Sequence, residues 1–142
     1  MPTSLARAET DAALARCFPV MQHLRPHLVA ADFVARVRRM QGEGFHLAYL
    51  EVDGAVVAVA GYRYYEKLFS GQNLYVDDLV TDPRQRSRGH GRSLLAWLAA
   101  EARRHGCDQL ELDSGVQRAD AHRFYFRERM HVSSYHFVVA LK

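Results

Sequence analysis

The spacing of apolar and polar positions changes several times along the chain, and each change predicts an element. Residues 4–8 fit a short first strand. Thr10-Asp11 reads as a helix cap, followed at helical spacing by Ala13, Leu14, Cys17 and Phe18, and Pro26 breaks that pattern. A second helix starts near Ala31-Asp32, with Phe33, Val34, Val37 and Met40 on one face, and ends at Gly42 or Gly44. Residues 45–52 form a strand, Asp53-Gly54 is a hairpin turn, and residues 55–62, extending to Tyr65, return. A loop at Ser70-Gly71 leads into a strand over 73–81 and a turn at Asp82-Pro83. The next helix opens at Gly91 with its amphipathic pattern over 93–105; it carries Leu94, Leu95, Leu98 and Ala102 on one stripe, and His105-Gly106 closes it. A strand over 109–113, a helix over 119–129 and a strand over 132–141, rich in β-branched and aromatic residues, complete the chain.

The order β-α-α-β-β-β-α-β-α-β predicts an α/β (α+β) fold, a mixed and mostly antiparallel central sheet with helices on both faces. Without repeats, low-complexity segments or linkers, residues 1–142 are expected to form a single domain.

Composition narrows the setting. No run approaches the roughly 20 apolar residues of a membrane span, and the N-terminus lacks the apolar core of a signal peptide. Cys17 and Cys107 give neither a disulfide framework nor metal spacing, so a cytoplasmic protein is expected. The net charge of +3 is spread along the chain with no basic stripe, so no nucleic-acid partner is expected. No metal is expected from the eight histidines, even though Asp113, His122 and His136 could converge.

The segment Arg86-Ser87-Arg88-Gly89-His90-Gly91-Arg92 changes the picture most. A strand, a glycine-rich basic turn and a helix start form a phosphate-binding geometry. The glycines let backbone N–H groups approach an anion, and the helix N-terminus adds partial positive charge. Neither the G-x-x-x-x-G-K-S/T P-loop nor the G-x-G-x-x-G dinucleotide motif is present.

The loop fits the pattern Gln/Arg-x-x-Gly-x-Gly/Ala through Arg86, Gly89 and Gly91, and Phe124-Tyr125 lies downstream at the spacing expected of its companion. On these residues the chain, roughly from Phe45 onward, resembles the GCN5-related N-acetyltransferase (GNAT) family. The resemblance implies acetyl-CoA as co-substrate, its pyrophosphate held by Arg86, Ser87, Arg88, Gly89, His90, Gly91 and Arg92. It implies that the pantetheine arm pairs with the strand edge at Leu79, Val80 and Thr81, with Val80 N–H as oxyanion donor, and that Phe124 lies at the cofactor. Tyr125 takes the position of the general acid that protonates the leaving thiolate. Two positions depart from the family: Arg118 stands for the usual asparagine, and Arg129-Met130 for the usual Gly-Phe.

Asp77-Asp78 is an acidic pair inside an apolar strand. Strand alternation sends the two carboxylates to opposite faces. By the family's register Asp77 takes the position of the base and faces the acceptor amine, while Asp78 is buried or bonded to neighbouring backbone; Asp78 or a water chain to His122 or His136 remains an alternative. Substrate-side candidates are Arg63, Tyr65, Asp78, Asp113, Ser114, Arg118, His122 and His136. The run from Asp113 to Tyr125, followed by Ser134-Tyr135-His136-Phe137, resembles the aminoalkylphosphonate N-acetyltransferase branch. That likeness implies a small amine bearing an acidic group.

The expected function is therefore transfer of acetyl from acetyl-CoA to a primary amine, a small molecule, by direct attack in a ternary complex. Cys107 ends a helix and is not expected to form an acyl-enzyme. Two other classes compete. A non-catalytic acyl-CoA-binding module would have no need of Tyr125 and the acidic pair, and a nucleic-acid-binding domain would have no need of the strand–loop–helix cradle. A homodimer is compatible with the family.

Overall fold

Thr10 starts the first helix as the sequence leads one to expect: its Oγ1 accepts from Ala13 N–H at 3.1 Å. In the computed structural model, which describes residues 2–142, that helix is α1 (Asp11–Leu24), preceded by β1 (Thr3–Arg7). There follow α2 (Ala30–Gln41), β2 (Phe45–Val52), β3 (Ala55–Lys67), β4 (Gly71–Thr81), a 3-10 turn (Pro83–Gln85), α3 (His90–Arg104), β5 (Gln109–Leu112) and α4 (Ala119–Arg127). Backbone contacts divide the chain into two compact units, one reaching to Glu111 and one from Leu112 to Lys142.

The first unit is built on a sheet of order β1-β2-β3-β4-β5. β1 to β4 form an antiparallel meander. Asp108 N–H donates to Gln72 O at 2.7 Å, so β5 starts beside the start of β4 and runs the same way, joined by the α3 crossover. The sheet is thus mixed and mostly antiparallel, and the fold is the expected α+β class.

Helices cover both of its faces. α1 and α2 enclose a core of Leu14, Cys17, Val20, Met21, Phe33 and Val37 against Phe45, Leu47 and Val59. On the other face Tyr62 meets Trp97 of α3 edge-on, and Tyr64 stacks on His105 at 3.8 Å. The alternation of β3 explains this division: odd positions from Val59 to Arg63 face α1 and α2, and even positions face α3. Burial pushes the Cys17 thiol up to about 12 and raises that of Cys107, so neither supplies a thiolate at neutral pH.

Several boundaries move. α1 runs through Pro19 and ends just before Pro26. β3 continues to Lys67 because its ladder with β4 extends to Lys67↔Gly71. α3 begins at His90, ahead of the expected Gly91, because left-handed Gly89 serves as its N-cap.

In the second unit α4 stops at Arg127 rather than 129, and Arg129 takes a left-handed φ of 65°. The strand expected over 132–141 is corrected: residues 130–142 carry no regular secondary structure and are exposed from His131 onward. Its alternating apolar pattern fits a strand, but a strand exists only within a ladder, and these residues join none.

Candidate active site

The loop between β4 and α3 turns twice through left-handed backbone, at Ser87 (φ 64°) and Gly89 (φ 79°). Turns through left-handed backbone are the kind of geometry in which N–H groups gather into an anion-binding concavity. Gly89 is also the N-cap of α3 and supplies no side-chain acceptor, so the first amides of that helix are not capped by it. A Cβ at Gly89 would meet nothing within 4 Å; backbone conformation alone selects glycine there. Arg84 is engaged by Asp82, its Nη2 donating to Oδ2 at 2.9 Å. Arg88 donates to Gln85 Oε1 at 3.0 Å, and Arg86, Arg88 and Arg92 are exposed around the loop.

Leu79, Val80 and Thr81 pair with Ala60, Val59 and Ala58 of β3. β5 has only four residues and begins level with Gln72, so it ends before this part of β4. In the sheet, β4 from Asp78 to Thr81 is therefore laddered on its β3 side alone.

The expected opposition of Asp77 and Asp78 is overturned by a β-bulge. The register passes from Gly61↔Asp78 directly to Tyr62↔Val76, leaving Asp77 as the extra residue. The bulge resets the alternation, and both carboxylates reach the α1/α2 face. Arg63, on that face, holds Asp77 through Nε to Oδ1 at 3.0 Å and Nη2 to Oδ2 at 2.7 Å, and its guanidinium lies over the Phe45 ring. Arg25, the C-cap of α1, donates through Nε to Asp78 Oδ1 at 2.9 Å and through Nη2 to Asp77 O at 3.0 Å. Burial raises the Asp78 carboxyl above the usual carboxylate range, and the Arg25 hydrogen bond and charge oppose that shift. Gly61 is required opposite: a Cβ there would lie 2.5 Å from both Asp78 Oδ2 and Phe45 Cζ.

Asp78 opens into a cavity of about 280 Å³ beneath α1 and α2. Its walls are apolar, with Met21, Phe33, Val37 and Phe45 among them, and its charged and titratable groups are Asp78, Arg25, His27 and Arg36. Arg25, His27 and Arg36 are functional candidates that the sequence did not disclose. Arg25 reads there as an ordinary residue before Pro26, and Arg36 as a solvated helix position. Among the described residues Arg36 has no carboxylate partner. Tyr65 is occupied elsewhere: its hydroxyl donates to Glu111, which also pairs with Lys67 at 2.9 Å.

In the second unit, Tyr125 is half-buried on α4, its ring 5.5 Å from that of Phe124. Burial raises the Tyr125 hydroxyl above its ordinary range; the charge and hydrogen bond of Arg118 oppose this. The hydroxyl therefore keeps its proton at neutral pH. His122 Nε2 lies 2.8 Å from Gly115 O, and His136 Nδ1 lies 3.5 Å from Asp113 Oδ1. Ser114 Oγ is buried without a hydrogen-bond partner among the described residues. No group of three or more His, Cys, Asp or Glu among the described residues could hold a metal ion. No helix among them is long and apolar enough to cross a membrane.

Residues 8–131 match the acetyltransferase (GNAT) family. The chain is 36% identical over 112 residues to the N-acetyltransferase YhdJ of Bacillus subtilis (strain 168), covering 78% of this chain and 79% of that protein. A shorter match of 66 residues, 42% identical, links it to the aminoalkylphosphonate N-acetyltransferase of Salmonella typhimurium, over 46% of this chain and 43% of that protein. Among solved structures, the aminoglycoside N-acetyltransferase AAC(6')-Iy in complex with CoA superposes with a TM-score of 0.87 at 12% identity, over 98% of this chain and 94% of that one. The chain belongs to the GNAT family and is an acetyltransferase.

Proposed function

We propose that the protein transfers the acetyl group of acetyl-CoA to the primary amine of a small molecule, by direct attack in a ternary complex within one catalytic domain spanning 1–142, in the cytoplasm. The observation that carries this reading is the loop over 86–92. Its two left-handed residues and the α3 N-terminus without a side-chain cap suit a pyrophosphate, and exposed arginines surround it. The part of β4 unladdered by β5, over Leu79, Val80 and Thr81, suits an amide-bearing arm. Bound there, acetyl-CoA supplies an activated thioester.

The chain's own residues then divide the work. Leu79 N–H, on the edge of β4 away from β3, donates to the oxygen on which charge develops. Val80 N–H is instead directed at Val59 by the hydrogen-bonded pairing that Asp82 N–H to Val57 O sets two residues on. Asp78, rather than Asp77, is the carboxylate at the acceptor, because it lines the cavity while Arg63 occupies both oxygens of Asp77. It binds the incoming ammonium and takes or relays its proton. Tyr125 O–H gives a proton to the leaving thiolate. Arg36 and His27 at the same cavity, neither paired with a carboxylate among the described residues, suit an acceptor that also carries an anionic group. The aminoalkylphosphonate enzyme of Salmonella typhimurium, by its name, acts on a substrate of that kind. Screening amines with and without a carboxylate, phosphate or phosphonate for acetyl-CoA-dependent thiol release tests the reading. Preference for amines bearing an anionic group is expected; equal turnover of plain alkylamines would remove the role of Arg36 and His27.

A further inference from the structure

Charged and apolar groups are segregated by depth in the cavity beneath α1 and α2. Asp78, its side chain only 15% exposed, stands at the floor. Met21, Phe33, Val37, Phe45 and Leu47, all buried, form the walls, which continue the hydrophobic core of this face. His27 and Arg36 line the cavity as exposed residues, which places them at its mouth. The turn that carries His27 is fixed: Leu28 N–H donates to Arg25 O at 3.1 Å, and Gln22 Nε2 donates to Leu28 O at 3.4 Å. The Arg25 guanidinium is taken up by Asp78 and by Asp77 O.

The reacting end of an acceptor must go deep, because Asp78 adjoins Leu79 on β4, where the thioester arm is seated. From an ammonium at Asp78, the rest of the molecule crosses walls that offer it no hydrogen-bonding side chain. A hydroxylated chain would strand its hydroxyls there. An anion on the carbon next to the amine would lie beside the like charge of Asp78 and away from the mouth. The volume of about 280 Å³ lies just below the range of about 300–1,000 Å³ common for ligand pockets, so one slender chain fills it.

On the acetyl-transfer reading of this cavity, on which this rests, we propose that the acceptor is an ω-amino acid, with amine and carboxylate at opposite ends of an apolar chain. The ammonium binds Asp78, the methylenes pack on Phe33, Val37 and Phe45, and the carboxylate meets Arg36 and His27. The amide C–N bond forms as the thioester C–S bond breaks. Of the two protons that the ammonium loses, one ends on the thiol and one in solvent. The neutral amide then has no charge with which to hold Asp78.

Acetyl-CoA-dependent thiol release by the full chain, over ω-amino acids from β-alanine to 8-aminooctanoate, tests this. Norleucine, an isomer of 6-aminohexanoate with its amine beside the carboxylate, isolates the placement of the charges. The kcat/KM should climb about fourfold per added methylene until the cavity is filled, and 6-aminohexanoate should exceed norleucine by about tenfold or more. Arg36→Gln, at an exposed helix position, should cut the ratio of kcat/KM for 6-aminohexanoate to that for hexylamine by about tenfold. Equal or faster turnover of norleucine, rates indifferent to chain length, or an unchanged ratio in Arg36→Gln overturns the inference and leaves acetyl transfer standing. Release with amines outside the series and none within it does the same. Release with no amine at all overturns the transfer reading as well.

Discussion

Arg63 and Asp77 meet as a fork on a carboxylate, Nη2 to Oδ2 at 2.7 Å and Nε to Oδ1 at 3.0 Å. The pair exists because a bulge at Asp77 turns its side chain onto the face that Arg63 already occupies. Asp77 is thereby tied down, and its neighbour Asp78 is left at the cavity. Asp78→Asn should lower kcat/KM for the amine by about 10²-fold and leave the KM for acetyl-CoA nearly unchanged. Asp77→Asn should cost about 1 kcal/mol of stability, since the pair is partly solvent-screened, and keep the shape of the pH–rate profile. Steady-state kinetics of both variants check this; the reverse pattern would return the base to Asp77.

Arg25→Ala should raise the Asp78 pKa further. Burial already raises it, and Arg25 is the main group pulling it back. A raised carboxyl pKa means that the folded state holds the proton more tightly than the unfolded chain. The associated stability is fully present below the unfolded value of about 4 and is lost as pH rises through the folded value. The variant should therefore show a steeper loss of melting temperature from acidic toward neutral pH, and an acid limb of kcat/KM displaced to higher pH. Carboxyl NMR titration measures the shift directly.

Gly61→Ala should be disruptive for a residue on the middle of a strand. Its Cβ would collide with Asp78 Oδ2 and with the Phe45 ring. A loss of about 1–3 kcal/mol is expected by urea unfolding, with activity falling at temperatures where the variant remains folded, because the carboxylate must move.

Tyr125→Phe removes one hydroxyl and keeps the ring. It should lower kcat by about 10²-fold while acetyl-CoA affinity stays similar. Unchanged turnover, measured where chemistry limits the rate, would leave Tyr125 a packing residue of α4.

The loop over 86–92 was legible in sequence because its information is local: glycines, arginines and a turn adjoin the strand and helix that frame them. The orientation of Asp77 and Asp78 was not, because alternation predicts opposite faces and a bulge leaves no mark in a run such as Tyr75-Val76-Asp77-Asp78-Leu79. Arg25 and Arg36 were invisible for another reason: they join Asp78 only when α1 and α2 fold over the sheet. The strand read over 132–141 failed because side-chain pattern states a preference for pairing and says nothing of where the partner is.

Calorimetric titration with acetyl-CoA, on wild type and on Gly89→Val, tests the central claim most directly. Valine at a φ of 79° is strained by about 1–2 kcal/mol, so the loop must change shape while the space around it stays free. Wild type should bind saturably and gain thermal stability, about 2.7 kcal/mol at a hundredfold excess over Kd. Gly89→Val should stay folded and lose most of that affinity. Absence of both heat and thermal shift with the wild-type protein, or undiminished binding by Gly89→Val, would contradict the account.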